Sequence, residues 1–144
     1  MIYTALTKKA MKIAFDAHKE QTDKSGLPYI YHPFHLAEQM TNEVSTCAAL
    51  LHDVAEDSSM TFEDMAEQGI PDVVIETLRL LTHDDTVPYM DYVRKIKDSG
   101  NQEAVAVKLA DLRHNSDLSR LDSVDEKTLA RFEKYKAAIN LLER

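Results

Sequence analysis

Residues 47–57 have the sequence CAALLHDVAED, and the rest of the chain is interpreted around them. Placed on a helix at about 100° per residue, this segment divides into an apolar and a polar arc. The apolar arc holds Cys47, Ala48, Leu50, Leu51, Val54 and Ala55. The polar arc holds only His52, Asp53, Glu56 and Asp57. Carboxylates crowded beside one imidazole repel one another unless a cation or bound protons compensate. A divalent metal is the simplest compensation, and an ordinary solvated helix face is the alternative that this segment alone leaves open.

The composition predicts a soluble, mostly helical protein of one domain. The 144 residues include three glycines, four prolines and no tryptophan, and 44% of them are hydrophobic. A chain of this length can enclose one sizeable core but not two. Acidic residues outnumber basic ones 25 to 17, which gives a net charge of −8. Electrostatic binding of a broad protein surface to nucleic acid or to an anionic membrane is therefore not expected.

The cysteine count and the hydropathy pattern bear on the compartment. Cys47 is the only cysteine and lies on the apolar arc, so we expect a buried side chain and no internal disulfide. The sequence has no apolar run of about 18 residues and no signal-peptide pattern. These features predict a cytoplasmic protein, and no pattern indicates an oligomeric state.

Apolar residues at three- and four-residue steps predict an all-α helical bundle of about eight helices, a single domain covering residues 1–144. The predicted helices span roughly residues 4–21, 33–41, 47–57, 61–68, 71–82, 88–99, 102–115 and 123–144. Gly26 and Pro28 mark residues 22–28 as a loop. Thr61 and Asp64 form a predicted capping box, and Ser123–Glu126 is predicted to cap the last helix, with Leu129 facing inward.

Metal-type ligands occur on separate predicted elements, in the order His32, His52-Asp53 and Asp111. Pro33 suits the first turn of a helix, so His32 is expected at the helix entrance in an extended conformation. Asp111 lies in a largely apolar run, where an unpaired buried carboxylate costs several kcal/mol. Two imidazoles and two carboxylates suit manganese or iron better than structural zinc. Taken alone, His32 could also be a surface cap, and we assign no role to His35 or to the loop pair His83-Asp84.

The same residues carry a family resemblance. The motifs His32-Pro33, His52-Asp53, Glu56-Asp57 and the run KLAD (108–111) followed by His114-Asn115 resemble the signature of the HD-domain metal-dependent phosphohydrolases. Within that superfamily the chain is most similar to the small alarmone (guanosine polyphosphate) hydrolases and to the hydrolase domain of Rel/Spo proteins. The match covers nearly the whole chain.

The resemblance implies a manganese-dependent enzyme that releases pyrophosphate from the 3′ position of guanosine-3′,5′-bis(diphosphate). It implies that His32, His52, Asp53 and Asp111 bind one Mn²⁺ or another divalent transition metal. It also implies that Glu56 is the general base and that Asp57 orients the attacking water. The substrate is a small-molecule nucleotide, and the residues implied to contact it are Lys24, Ser25, Asn115 and Tyr135.

Two departures from the family pattern leave the substrate open. Asp23-Lys24 stands where the family usually has an Arg-Lys pair, and the acidic segment Asp84-Asp85-Thr86 stands where the small hydrolases tend to carry a lysine. Both changes remove positive charge, so weak nucleotide affinity is expected, and Asp23→Arg would be expected to strengthen it. The alternatives are an HD phosphohydrolase of another nucleotide or phosphate ester, and a catalytically silent nucleotide-binding module.

Overall fold

Residues 45–51 form the most deeply buried stretch of the chain, and the other helices pack around it. A computed structural model describes all residues, 1–144. The elements are α1 (Ala5–His18), α2 (Tyr31–Glu38), α3 (Glu43–Leu51), α4 (Val54–Asp57), α5 (Phe62–Glu67), α6 (Asp72–Leu80), α7 (Tyr89–Asp98), α8 (Gln102–Asn115), a 3-10 turn (Leu118–Arg120) and α9 (Glu126–Glu143). Helix α3 contacts α1, α2, α6 and α8, and α9 covers α7 and α8. The predicted all-helical fold is confirmed.

Side chains at the helix starts explain several boundaries. Thr4, Asn42 and Asn101 each accept a backbone N–H from the first turn of the helix that follows, which satisfies a donor that has no partner within the helix. The predicted capping box of Thr61 and Asp64 is confirmed. For the last helix, Asp125 rather than Ser123 is the cap, since its carboxylate accepts the N–H of Thr128 at 2.8 Å.

The predicted continuous helix over residues 47–57 is wrong in one respect that matters for the site. Helix α3 ends at Leu51 and α4 begins at Val54, with His52 and Asp53 in the turn between them. The backbone of Asp53 relaxes to φ −100° and ψ −5°, outside ideal helical values. On an unbroken helix, neighbouring side chains diverge by about 100°. His52 keeps helical angles of φ −59° and ψ −30°, so the departure at Asp53 is modest, yet Nε2 of His52 and Oδ2 of Asp53 lie 3.0 Å apart. The break raises the helix count from eight to nine.

The segment before α2 also differs from the prediction. Residues 22–28 form a tight hairpin, with a bridge between Thr22 and Pro28 and with Gly26 at φ 80°, the conformation predicted for this glycine. His32 lies inside the first turn of α2 and not in an extended segment. Pro33 tolerates this position because the first helical turn needs no N–H from it.

The last two helices bring distant residues to the same region. Helix α8 packs on α2 and α3, which places Asp111 opposite His32 and His52. Helix α9 buries Ala138, Leu141 and Leu142, whereas Leu129, which was predicted to face inward, is 49% exposed. Cys47 is fully buried, as expected. None of the helices combines the length and apolar character that a membrane crossing requires.

Candidate metal centre and nucleotide cavity

Four ligand atoms from three parts of the fold converge at the break after α3. His32, His52 and Asp53 each present one ligand atom within 4.8 Å of the other two. The Oδ1 atom of Asp111 lies 2.9 Å from His32 Nε2 and 3.5 Å from His52 Nε2. The Oδ2 atom of Asp53 lies 3.0 Å from His52 Nε2 and 3.9 Å from His32 Nε2. Metal bonds of about 2.1 Å place neighbouring ligands about 3 Å apart and opposite ligands about 4.2 Å apart, so the group of His32, His52 and Asp53 fits one ion, with Asp111 beside it.

The imidazole of His52 is oriented as a ligand. Its Nδ1 lies 2.7 Å from the carbonyl oxygen of Ala49. A carbonyl oxygen only accepts, so Nδ1 carries the hydrogen, and in the neutral ring Nε2 presents a lone pair to the cluster. This Nε2 is buried and has no hydrogen bond of acceptable geometry, although Asp53 is close. A metal ion would be the partner that this buried nitrogen lacks, so the residues fit a metal.

The charges of the cluster favour a cation at the same point. Burial acts to lower the pKa of His52, but the carboxylates of Asp53 and Asp111 outweigh it and raise that pKa well above its ordinary value. Burial acts to raise the pKa of Asp111, but Lys108 and the two imidazoles lower it strongly. Two ionised carboxylates at this depth need positive charge between them, and either a proton or a divalent ion supplies it.

Further side chains hold the ligands in place. The Tyr29 hydroxyl donates to Asp53 Oδ2 at 2.5 Å. Lys108 Nζ lies 3.1 Å from Asp111 Oδ2, and Asn115 Nδ2 donates to Asp111 Oδ1 at 3.1 Å. Asp111 lies in a largely apolar helix, where its carboxylate needs polar partners, and Lys108 and Asn115 are those partners. The role of Tyr29 had no signal in the sequence, because it lies 24 residues from Asp53.

His114 orients the remaining imidazole. Its Nδ1 lies 2.7 Å from His32 Nδ1, and the two rings are nearly parallel. Burial and the neighbouring Arg120 guanidinium lower the pKa of His114 to about 3. A neutral His114 can accept the Nδ1 hydrogen of His32, which leaves Nε2 of His32 directed at the cluster. His35, to which we assign no role, packs against His114 with the rings tilted by 32° and a centroid separation of 4.2 Å.

Glu56 and Asp57 lie in α4, directly after the ligand pair, and both side chains are exposed. Partial desolvation and the nearby carboxylate of Asp53 raise the pKa values of both. The backbone N–H of His83 donates to Glu56 Oε1 at 3.0 Å and fixes one carboxylate oxygen. The loop containing His83 and Asp84, to which the sequence assigns no role, therefore contacts the predicted general base through its main chain.

A cavity of about 310 Å³ adjoins the cluster, and every residue that the resemblance implies to contact the substrate lines it. Its lining includes Lys24, Ser25, Asn115 and Tyr135, and it also includes the metal-ligand candidate His32. The cavity has the size and mixed lining of a small-molecule site. Glu56 and Asp57 do not line it.

The two acidic departures have different consequences. Asp23 lines the cavity, but its Oδ1 accepts the N–H groups of Ser25 and Leu27 at 2.9 and 3.0 Å and so closes the hairpin. Asp23→Arg would remove both of these bonds, a cost that the expected gain in positive charge does not include. The segment Asp84-Asp85-Thr86 does not line the cavity, so it removes no positive charge there.

We predict that Tyr29→Phe weakens metal binding without unfolding the protein. The change removes the hydroxyl that orients Asp53 but keeps the ring, which lies 5.0 Å from the His18 ring and 5.8 Å from the His32 ring. Partners of this kind typically contribute 10- to 100-fold to affinity, so we expect the Kd for Mn²⁺ to rise about 10-fold in calorimetric titration. The control is Tyr31→Phe, since Tyr31 is 61% exposed. An unchanged Kd would contradict the assignment of Asp53 as an oriented ligand.

The chain is similar to known proteins over most of its length. No family model matches the chain. Over 131 residues it is 35% identical to the guanosine-3′,5′-bis(diphosphate) 3′-pyrophosphohydrolase MESH1 of Xenopus tropicalis, an alignment that covers 81% of this chain and 71% of that protein. It is 32% identical to MESH1 of Danio rerio over 129 residues, with the same two coverages.

A longer relative and a solved structure extend the comparison. The bifunctional (p)ppGpp synthase/hydrolase SpoT of Escherichia coli strain K12 is 36% identical over 121 residues, which is 75% of this chain but only 17% of SpoT. A solved structure, reported as a metazoan ortholog of SpoT that hydrolyzes ppGpp and plays a role in starvation responses, superposes with a TM-score of 0.79 at 24% identity. That match covers 99% of this chain and 88% of the other and shows the same fold. With the two MESH1 relatives above 30% identity, the chain belongs to the family of the MESH1-type HD-domain alarmone hydrolases.

Proposed function

We propose that residues 1–144 form a single divalent-metal phosphohydrolase domain that releases pyrophosphate from the 3′ position of guanosine-3′,5′-bis(diphosphate) or a closely similar nucleotide. The observation that carries the proposal is the convergence of His32, His52, Asp53 and Asp111 beside a nucleotide-sized cavity. The names of the MESH1 relatives support the choice of substrate.

We assign all four residues as ligands of one ion, with manganese as the preferred metal. A site of two imidazole nitrogens and two carboxylate oxygens mixes borderline and hard donors, and four protein ligands leave open positions on a six-coordinate ion. The residues here contrast with a closed structural zinc site, in which thiolates dominate and no position stays free. Cys47 is buried in the core and contributes no thiolate.

A divalent cation bound there would lower the pKa of a water molecule and polarise a phosphoryl oxygen. The protein supplies the base and its orientation. Glu56 accepts the proton of the attacking water, and its raised pKa makes it a stronger base than an ordinary glutamate. The His83 N–H fixes Oε1 of Glu56, so the other carboxylate oxygen is left to take the proton, and Asp57 orients the water.

The cavity holds the part of the substrate that does not react. Lys24 supplies positive charge, and the Ser25 hydroxyl, whose hydrogen bonds the Arg120 carbonyl, can accept a hydrogen bond from the nucleotide, while the Tyr135 ring offers a surface for the base. Asn115 lines the cavity and also bonds Asp111, so it joins the nucleotide pocket to the metal centre. These contacts place the scissile bond near the cluster and raise the effective concentration of the reacting groups.

A second candidate substrate is a less anionic nucleotide or another phosphate ester. Asp23 and Asp117 line the same cavity as Lys24. These two carboxylates offset part of the positive charge of Lys24, Arg120 and Arg131 in the same wall, which lessens its attraction for a ligand with four phosphate groups. The same metal centre and the same Glu56 would serve either substrate.

We expect the purified protein with Mn²⁺ to release pyrophosphate from guanosine-3′,5′-bis(diphosphate), and EDTA to abolish the reaction because the four ligands then hold no cation. Chromatography of the products distinguishes pyrophosphate from single phosphates. Release of single phosphates from nucleoside monophosphates, with the polyphosphate intact, would move the assignment to the second candidate.

We also expect two variants to separate metal binding from chemistry. His52→Ala should lose both Mn²⁺ and activity, because it removes one of four ligands for a metal that binds weakly in the Irving–Williams order. Glu56→Gln should keep the metal and lose about 10²–10⁴-fold in kcat, the usual contribution of a general base. Bound manganese and initial rates are measured on the same samples.

The matched control for the second variant is Glu63→Gln, which changes an exposed glutamate in the first turn of α5. It should alter neither metal content nor rate. Near-full activity of Glu56→Gln would show that this carboxylate is not the base.

A further inference from the structure

Arg120 stands in the wall of the nucleotide cavity and was not expected from the sequence to take part in the site. It ends the 3-10 turn after α8, 95 residues from the hairpin that it faces. Its side chain is 27% exposed, and it lines the cavity together with Lys24 and Asp23. The cavity wall therefore contains two guanidinium groups, those of Arg120 and Arg131, and the one of Arg120 lies beside Asp23, the position at which the family resemblance led us to expect an arginine.

Most of the donors of this guanidinium are free. Nη1 donates to the carbonyl oxygen of His114 at 2.8 Å, which is the only hydrogen bond that the side chain makes to the protein. Nη2 lies 3.9 Å from Asp23 Oδ2, which is an ion-pair distance and too long for a hydrogen bond. A guanidinium carries five N–H donors, so those on Nη2 and Nε can bind a ligand in the cavity.

The link between the hairpin and the turn does not depend on this side chain. Ser25 Oγ donates to the main-chain carbonyl of Arg120 at 2.7 Å, and Asp23 Oδ1 closes the hairpin through two backbone N–H groups. Both contacts remain if the guanidinium is removed. The Arg120 side chain is therefore anchored at one end and available at the other, as expected of a group that binds an anion.

We propose that Arg120 binds a phosphate group of the nucleotide, and that Asp23 and the His114 carbonyl hold the guanidinium in place for it. The proposal rests on the proposed function, because it takes the ligand of the cavity to be a phosphorylated nucleoside. Phosphate is favoured over the base because the fork of N–H donors on arginine matches two phosphate oxygens. Arg120 thus supplies from the 3-10 turn the charge that Asp23 does not supply from the hairpin.

The test compares ligands with and without phosphate. Guanosine and guanosine 5′-diphosphate are titrated calorimetrically into the manganese-loaded protein, its Arg120→Gln variant and the control Arg113→Gln. Arg113 is an exposed arginine that pairs with Glu143 and does not line this cavity. We expect Arg120→Gln to weaken diphosphate binding about 10- to 100-fold, the effect of one charge-assisted contact, and to leave guanosine binding unchanged. Arg113→Gln should change neither affinity.

Two results would overturn the inference. Diphosphate affinity of Arg120→Gln within about twofold of the unchanged protein would show that the guanidinium does not reach the phosphate. An equal loss for guanosine and for the diphosphate would show that Arg120 only shapes the cavity. Arg120→Lys should recover part of the affinity, since it restores the charge without the fork.

Kinetics separate this inference from the proposed function. With guanosine-3′,5′-bis(diphosphate) as substrate, we expect Arg120→Gln to raise KM and to leave kcat nearly unchanged, because the contact forms equally in the bound substrate and in the transition state. If the unchanged protein does not hydrolyse this nucleotide, the proposed function fails, while the guanosine titrations still decide the role of Arg120.

Discussion

The constraint on which the structure depends is the mutual repulsion of two buried carboxylates, which only positive charge between them relieves. Asp53 and Asp111 both direct an oxygen at the same pair of imidazole nitrogens, within 3.9 Å. Removing these charges from water costs several kcal/mol each unless partners replace the lost hydration. Lys108, Asn115 and Tyr29 replace part of it. A proton or a divalent cation at the centre supplies the rest.

The two neighbouring ligand candidates lie in the turn that follows the most buried helix. Helix α3 is surrounded by four other helices, so its position is fixed by packing. His52 and Asp53 follow its end at Leu51, and both side chains reach the same cluster. Helices α2 and α8 then deliver His32 and Asp111 from either side. A rigid core with a short irregular segment is a common way to position reacting groups.

Periodicity and ligand chemistry predicted much of the protein, whereas contacts across the chain remained hidden. The helical pattern located the elements, and the requirement for a partner identified Asp111 as part of the site. The break at His52 was missed because a helical wheel assumes an unbroken helix, and His32 was placed outside α2 because the effect of Pro33 on its neighbour was weighted above its tolerance in a first turn.

The contacts of Tyr29 with Asp53, His83 with Glu56 and Arg120 with the hairpin could not be predicted in the same way. They join residues 24, 27 and 95 positions apart, and no local pattern encodes such pairs. The hairpin shows the same limit, since a departure from the family at Asp23 was interpreted as a missing cation. The fold supplies an arginine from elsewhere in the chain and uses the carboxylate to close the turn.

The most direct test of the account is anomalous diffraction from crystals grown with Mn²⁺, with data collected on both sides of the manganese absorption edge. The account predicts one strong anomalous peak, about 2.2 Å from each of four atoms: Nε2 of His32, Nε2 of His52, Oδ2 of Asp53 and Oδ1 of Asp111. A peak elsewhere, or none at saturating manganese while the four side chains keep their present separations, would contradict it.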